Sequence, residues 1–176
     1  FNKLKGIVGI FGKNFSGKSS IVDSLLYTMF NTTSKNERKN LNVINQNRDS
    51  GRGRLKIEAN NATYTIERES VKYTKRLKGA ETLEAKTDLN FEMRDHITDE
   101  VVSLNGTTRN ETDANIRKHF GTIDDFMVSS LASQHGALAF IDEGSTRRKE
   151  IIAKFLDLEV FEKKFRMAKE DSVEAK

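Results

Sequence analysis

The residues from Gly12 to Ser19, GKNFSGKS, constrain this chain more than any other stretch. They fit the pattern G-x-x-x-x-G-K-[ST], for which the expected context of a strand before and a helix after matters more than the pattern itself. Upstream, Lys5 to Phe11 (KGIVGIF) is a short apolar run that ends in Gly12 and suits a buried parallel strand covered on both faces. Downstream, Ile21, Val22, Leu25, Leu26, Met29 and Phe30 recur at spacings of three and four, the period of a helix with one buried face. Strand, glycine loop and helix therefore follow one another directly.

The chemistry calls for these residue types. Glycines let the backbone curl so that its N–H groups point at phosphate oxygens, and the helix that follows offers its positive N-terminal end. Gly12, Lys13, Asn14, Ser16, Gly17, Lys18, Ser19 and Ser20 are the candidate phosphate-binding residues. Lys18 is placed to reach the β- and γ-phosphates of a nucleotide such as ATP, and the Ser19 hydroxyl is a hard oxygen ligand suited to Mg²⁺. The plainer reading is a chance match, which arises in roughly one random chain per hundred. The flanking strand and helix patterns make it rarer still.

Composition sets looser bounds. At 176 residues the chain has room for one domain with a core. No stretch approaches the roughly 18 uninterrupted apolar residues of a membrane helix, and Phe1 to Lys5 lack the order of a secretory signal, so the expectation is a soluble, unexported protein. With no cysteine there is neither a disulfide framework nor a thiolate metal site. Lys and Arg outnumber Asp and Glu by 30 to 26, a net charge of +4, only a mild bias toward polyanions. Proline is absent, so turns fall to Gly, Asn and Asp.

After the first helix, residues 31–53 are polar and rich in Asn and basic side chains, and read as a loop. Leu55, Ile57 and Ala59 alternate with charged residues, as do Tyr64 and Ile66 after Asn60-Asn61, which predicts an antiparallel hairpin. Further strands are expected near 71–77, 84–93 and 101–104, with Asn105-Gly106 turning Val101–Ser103 back into Thr107–Arg109. Helices are expected over Asp113–Phe120, Asp124–Ser130 and Thr146–Leu156, the last capped by Ser145. The stretch from Leu158 to Lys176 is charged and helical, with Leu158, Phe161, Phe165 and Ala168 spaced as at the start of a coiled coil.

The loop as written, GKNFSGKSSIVDSLLYTMFN, resembles the N-terminal loop of the SMC-like DNA repair ATPases, which runs G-x-N-G-x-G-K-S-S into an apolar helix. Asn14 and Ser20 fit, and Phe15 stands where that family usually has Gly. Further on, FMVSSLASQHGALAFIDEGSTRRKEIIAKFLDLEVFEKKF looks like the family's Q-loop segment, with Gln134 at the glutamine position and His135 where Gly is common. Between them, LKIEANNATYTIERE resembles the family's hairpin ending Tyr-x-Ile-x-Arg, here Tyr64, Ile66 and Arg68. Within this group the chain is most similar to the SbcC-type ATPases, with chromosome-organising SMC proteins as near neighbours.

The resemblance implies an α/β P-loop NTPase fold. Residues 1–157 would be the N-terminal lobe of an ABC-type ATPase head with an antiparallel β-subdomain, and residues 158–176 would begin a coiled coil. It implies ATP and Mg²⁺ as cofactors, with Lys18 and Gln134 catalytic and Ser19 and Gln134 on the metal. The implied partners are the C-terminal lobe of the same ATPase, a second head, a metallophosphoesterase nuclease subunit and double-stranded DNA, in an intracellular, DNA-associated setting. The signature and Walker B motifs are absent, so the chain would be inactive alone, an excised piece of a longer protein whose family first strand precedes Phe1. The alternative is an SMC-type chromosome-organising head without a nuclease. A small-molecule kinase leaves the Q-loop similarity unexplained.

Other charged residues carry less. Arg147, Arg148 and Lys149 most simply form the solvated face of a helix. Arg48, Arg52 and Arg54 could contact nucleotide or DNA phosphates, or belong to a solvated loop. His96, His119 and His135 lack partners at zinc-ligand spacing.

Overall fold

The computed structural model describes residues 6–34, 40–77, 80–131, 141, 143–156 and 158–174. The chain divides into two units, one ending at Thr122 and one beginning at Ile123. In the first, α1 (Lys18–Phe30) and a single turn, α2 (Asn40–Val43), precede an antiparallel sheet of β1 (Ser50–Ala59), β2 (Ala62–Leu77), β3 (Ala80–Asp95) and β4 (Val101–Ser103), followed by α3 (Arg109–Phe120). The strands lie in chain order, each beside the next.

Two asparagines fix the first hairpin. Asn60 and Asn61 have φ of 50° and 60°, the backbone of a two-residue turn whose twist matches the strands it joins, and Asn tolerates it better than most residues. Ala59 then pairs with Ala62 and Leu55 with Ile66, and Ile66 pairs in turn with Phe91. Side chains alternate between faces, so this register gathers the apolar set on one side.

Met29 of α1, Ile66, Phe91 and Ile116 of α3 form the buried centre, with Leu25, Leu55, Ile57, Tyr64, Leu89, Leu104 and Phe120 packed around it. Burying such side chains contributes about 2 kcal/mol each. Aromatic rings dock α3: Phe120 meets Tyr64 edge-on at 5.4 Å, and His119 meets Phe91 likewise at 5.4 Å. Toward the other end the same sheet face turns polar, through the rows Gly53–Arg68–Leu89 and Gly51–Ser70–Thr87.

The structure corrects two expectations in this unit. Residues 6–13 form no strand, and Ile7, Val8, Ile10 and Phe11 are exposed. A strand needs a neighbour to satisfy its backbone, and among the described residues none lies beside this run. Asn105-Gly106 is not a hairpin turn either; β4 leads through it into α3. Asn105 accepts from the Phe91 N–H at 2.8 Å and donates to Asn90 Oδ1 at 2.6 Å, while any side chain at Gly106 would collide with Glu111. Tertiary bridging has overridden the local turn preference. The expected loop over 31–53 also holds α2 and the first residues of β1.

The second unit holds α4 (Ile123–Ser129), α5 (Ser145–Phe155) and α6 (Glu159–Glu174). Arg148 N–H donates to Gly144 O at 3.0 Å, so α5 starts one residue earlier than the sequence suggests, with Ser145 inside it. Val160, Phe161, Phe165 and Met167 of α6 are exposed. No helix among the described residues is long and apolar enough to cross a membrane.

Candidate phosphate-binding loop

Lys18 opens α1, and its side chain folds back over the loop that precedes it. The ammonium donates to Gly12 O and to Lys13 O, both at 2.7 Å. The loop is closed by Ser16 N–H to Lys13 O at 3.3 Å, and Ser16 Oγ occupies the space that a side chain at Gly12 would need. Gly17 sits at the helix N-cap with φ 84°, a conformation costly for any residue with a Cβ.

The helix start is left open by its own side chains. Gly17 offers no side-chain cap, and the first turn holds no acid. Orphan N–H groups and the positive end of the helix dipole therefore face solvent, the arrangement that receives a phosphate. Ser19 and Ser20 are exposed in that same turn, and Lys13, Asn14 and Ser16 are exposed in the loop. The candidate residues thus stand together around the Lys18 ammonium and the helix end, except for Gln134, which lies outside the described residues, as does His135.

Phe15 is the misfit of the loop. Its φ is 63° and its side chain is fully exposed, so the ring repays none of the left-handed strain by packing. Glycine would take this conformation without the strain.

The other candidates take ordinary structural places. Arg52 pairs with Glu67 across the hairpin and Arg54 Nε lies 3.6 Å from the same carboxylate, so both belong to the charged outer face of the sheet. Arg48 is exposed in the turn before β1. Arg147 bonds Glu150 at 3.0 Å one turn along α5, which raises its already high pKa. His96 Nε2 lies 2.7 Å from Thr63 Oγ1, and His119 Nδ1–H donates to Asn115 O at 2.8 Å.

An AAA domain model matches residues 1–176. The chain belongs to the AAA domain family. It is 28% identical over 167 residues to the uncharacterized protein R555 of Acanthamoeba polyphaga mimivirus, covering 93% of this chain and 12% of that protein. The DNA double-strand break repair Rad50 ATPase of Sulfolobus acidocaldarius is 39% identical over 67 residues, 38% of this chain and 8% of its own length. Its counterpart from Methanococcus maripaludis is 28% identical over 167 residues, 92% of this chain and 14% of that protein. These relatives support the likeness to SbcC-type, SMC-like ATPases read from the loop and hairpin, and the chain spans only a small part of each of them.

Sequence reasoning missed the other end of α1. Arg68 is wholly buried, its Nε donating to Thr28 O at 3.1 Å and its Nη2 to Met29 O at 3.3 Å and Asp113 Oδ1 at 2.6 Å. Beside it Tyr27 OH donates to Ser70 Oγ at 2.7 Å, which lies 2.6 Å from Thr87 Oγ1; burial pushes the Tyr27 phenol pKa up. The signal was present: Arg68 shares the parity of Tyr64 and Ile66, the inward face of β2.

Proposed function

We propose that this chain binds the triphosphate of ATP with Mg²⁺ and forms the N-terminal lobe, residues 1–157, of an ABC-type ATPase head in a DNA double-strand-break repair complex. The observation that carries this is the loop itself: a lysine ammonium held over loop carbonyls at an uncapped helix start. An incoming phosphate offers that ammonium stronger, charged acceptors than the two carbonyls it now holds. The exposed Ser19 hydroxyl fits a Mg²⁺ ligand, and Mg²⁺ would supply charge neutralisation on the phosphate oxygens. Lys18, Gly12, Lys13, Asn14, Ser16, Gly17 and Ser20 then bind and orient the phosphates by backbone N–H groups and charge, with Gln134 as a further metal and water contact.

In this reading catalysis is completed elsewhere, by a C-terminal lobe and a second head, and hydrolysis controls access of DNA and of a metallophosphoesterase nuclease. The Rad50 relatives, break-repair ATPases by name, favour break repair over chromosome organisation. The exposed Ile7, Val8, Ile10 and Phe11 are consistent with a covering lobe, and α6 with the start of a coiled coil over 158–176.

ATP binding and turnover by the chain, with and without its C-terminal half, tests this against Lys18→Ala. Binding by the chain alone, turnover only with the second half, and loss of both in the variant are expected. Turnover by the isolated chain, or binding unaffected by Lys18→Ala, would defeat the reading.

A further inference from the structure

The phosphate loop and the buried Arg68 occupy opposite ends of one helix. α1 has 13 residues, about 20 Å of helix. Its N-terminal turns, from Lys18 to Asp23, are exposed or half-buried, whereas Leu26 to Met29 are buried. The polar contacts that tie α1 to the sheet lie in that buried half: Arg68 on the carbonyls of Thr28 and Met29, Tyr27 on Ser70, and Thr28 seated over Gly53.

A guanidinium is an expensive way to fill this space. Replacing a buried ion pair by apolar side chains of similar volume is often neutral or stabilising, and here Nη1 has no hydrogen-bond partner among the described residues. What Arg68 supplies that an apolar residue cannot is direction. Its planar fork grips two successive carbonyls at the negative end of α1 and, through Asp113, ties them to α3. Axial position and rotation of the helix are thereby set from the end far from the loop.

The lever is long enough to matter. A tilt of about 3° at the anchored end moves the loop by about 1 Å over about 20 Å of helix, and misplacement on that scale costs positioned chemistry about 100-fold.

We infer that Arg68 is a positioning residue for the phosphate loop, acting through α1 and held by Asp113. The inference rests on the loop being the nucleotide site, so its test has a readout that needs no nucleotide. In the full chain, Arg68→Lys keeps the charge and loses the fork, Arg68→Met loses both, and Thr108→Ala removes the hydroxyl that caps α3 by accepting from the Glu111 N–H at 3.3 Å, without touching α1. Each is compared at the same interval below its own melting temperature.

Backbone amide resonances of Gly17, Lys18 and Ser19, recorded without nucleotide, are expected to shift in both Arg68 variants and to stay in place in Thr108→Ala. ATP affinity is expected to fall about tenfold in Arg68→Met, with Arg68→Lys between it and the wild type. Resonance changes confined to the neighbours of residues 28, 29, 68 and 113, with the loop unmoved, would overturn the inference. A wild-type chain that binds no ATP would instead overturn the reading of the loop, whatever the resonances do.

Discussion

The two ends of α1 are built on opposite terms. At its start the loop is exposed, the helix has no side-chain cap, and Phe15 holds a left-handed backbone without packing to support it. At its finish Asn31 closes the helix in the left-handed conformation with its N–H on Tyr27 O, and a buried cation serves the last carbonyls. One end leaves backbone donors open to a ligand, while the other satisfies acceptors within the protein. On the proposed reading α1 needs both, because donors aimed at a phosphate are useful only if the helix carrying them is fixed.

The largest break in that contrast comes from the counter-ion at the closed end. Asp113→Asn leaves the Arg68 cation buried without an opposing charge and is expected to cost about 3 kcal/mol of unfolding free energy, read by denaturant titration. A loss near zero would mean that Arg68 finds its compensation from the helix carbonyls alone.

Next comes the close approach of α1 to β1. A side chain at Gly53 would collide with Thr28 Oγ1, so Gly53→Ala is expected to destabilise by about 2 kcal/mol. Adding Thr28→Ala should recover part of that loss, a non-additivity that marks direct contact. Additive losses would mean that the strand, not the contact, suffers.

At the open end the sign reverses. Phe15→Gly relieves a left-handed residue that makes no packing contribution and should stabilise by about 1 kcal/mol in thermal unfolding, with ATP affinity retained. Destabilisation by this change would show that the ring has a role the contrast does not contain.

The open end was the legible one. Phosphate loops are local, so spacing from Gly12 to Ser19 and the periodicity after it carried the loop and α1, and Asn60-Asn61 carried the first hairpin. The closed end is made of residues far apart in the chain, Thr28, Gly53, Arg68 and Asp113, and only strand register brings them together. Arg68 shares the inward parity of β2, yet a charged side chain is rarely fully buried, so parity alone does not announce its place. Local signals failed where a long-range partner decides: the apolar run before Gly12 has no described strand to pair with, and Asn105 spends its side chain on β3 instead of making a turn.

The smallest expected effect lies at the N-terminus of α3. Glu111, two residues earlier, accepts from Thr107 Oγ1 at 2.6 Å and from the Thr107 N–H at 2.7 Å, and these bonds hold its carboxyl below its ordinary pKa. The ionised form is therefore favoured in the folded chain relative to the unfolded one. Its contribution is complete above the ordinary Glu value of about 4.3 and is lost as pH falls through the lowered folded value. Asp95, lowered by the N–H groups of Ile97 and Thr98, and Glu84, lowered by the Tyr73 hydroxyl, add to the same acid limb. Glu111→Gln should thus lower the melting temperature at neutral pH and flatten, without abolishing, its decline between neutrality and about pH 3. An unchanged slope would assign the acid limb to the sheet carboxylates and leave the start of α3 held by the Thr108 cap alone.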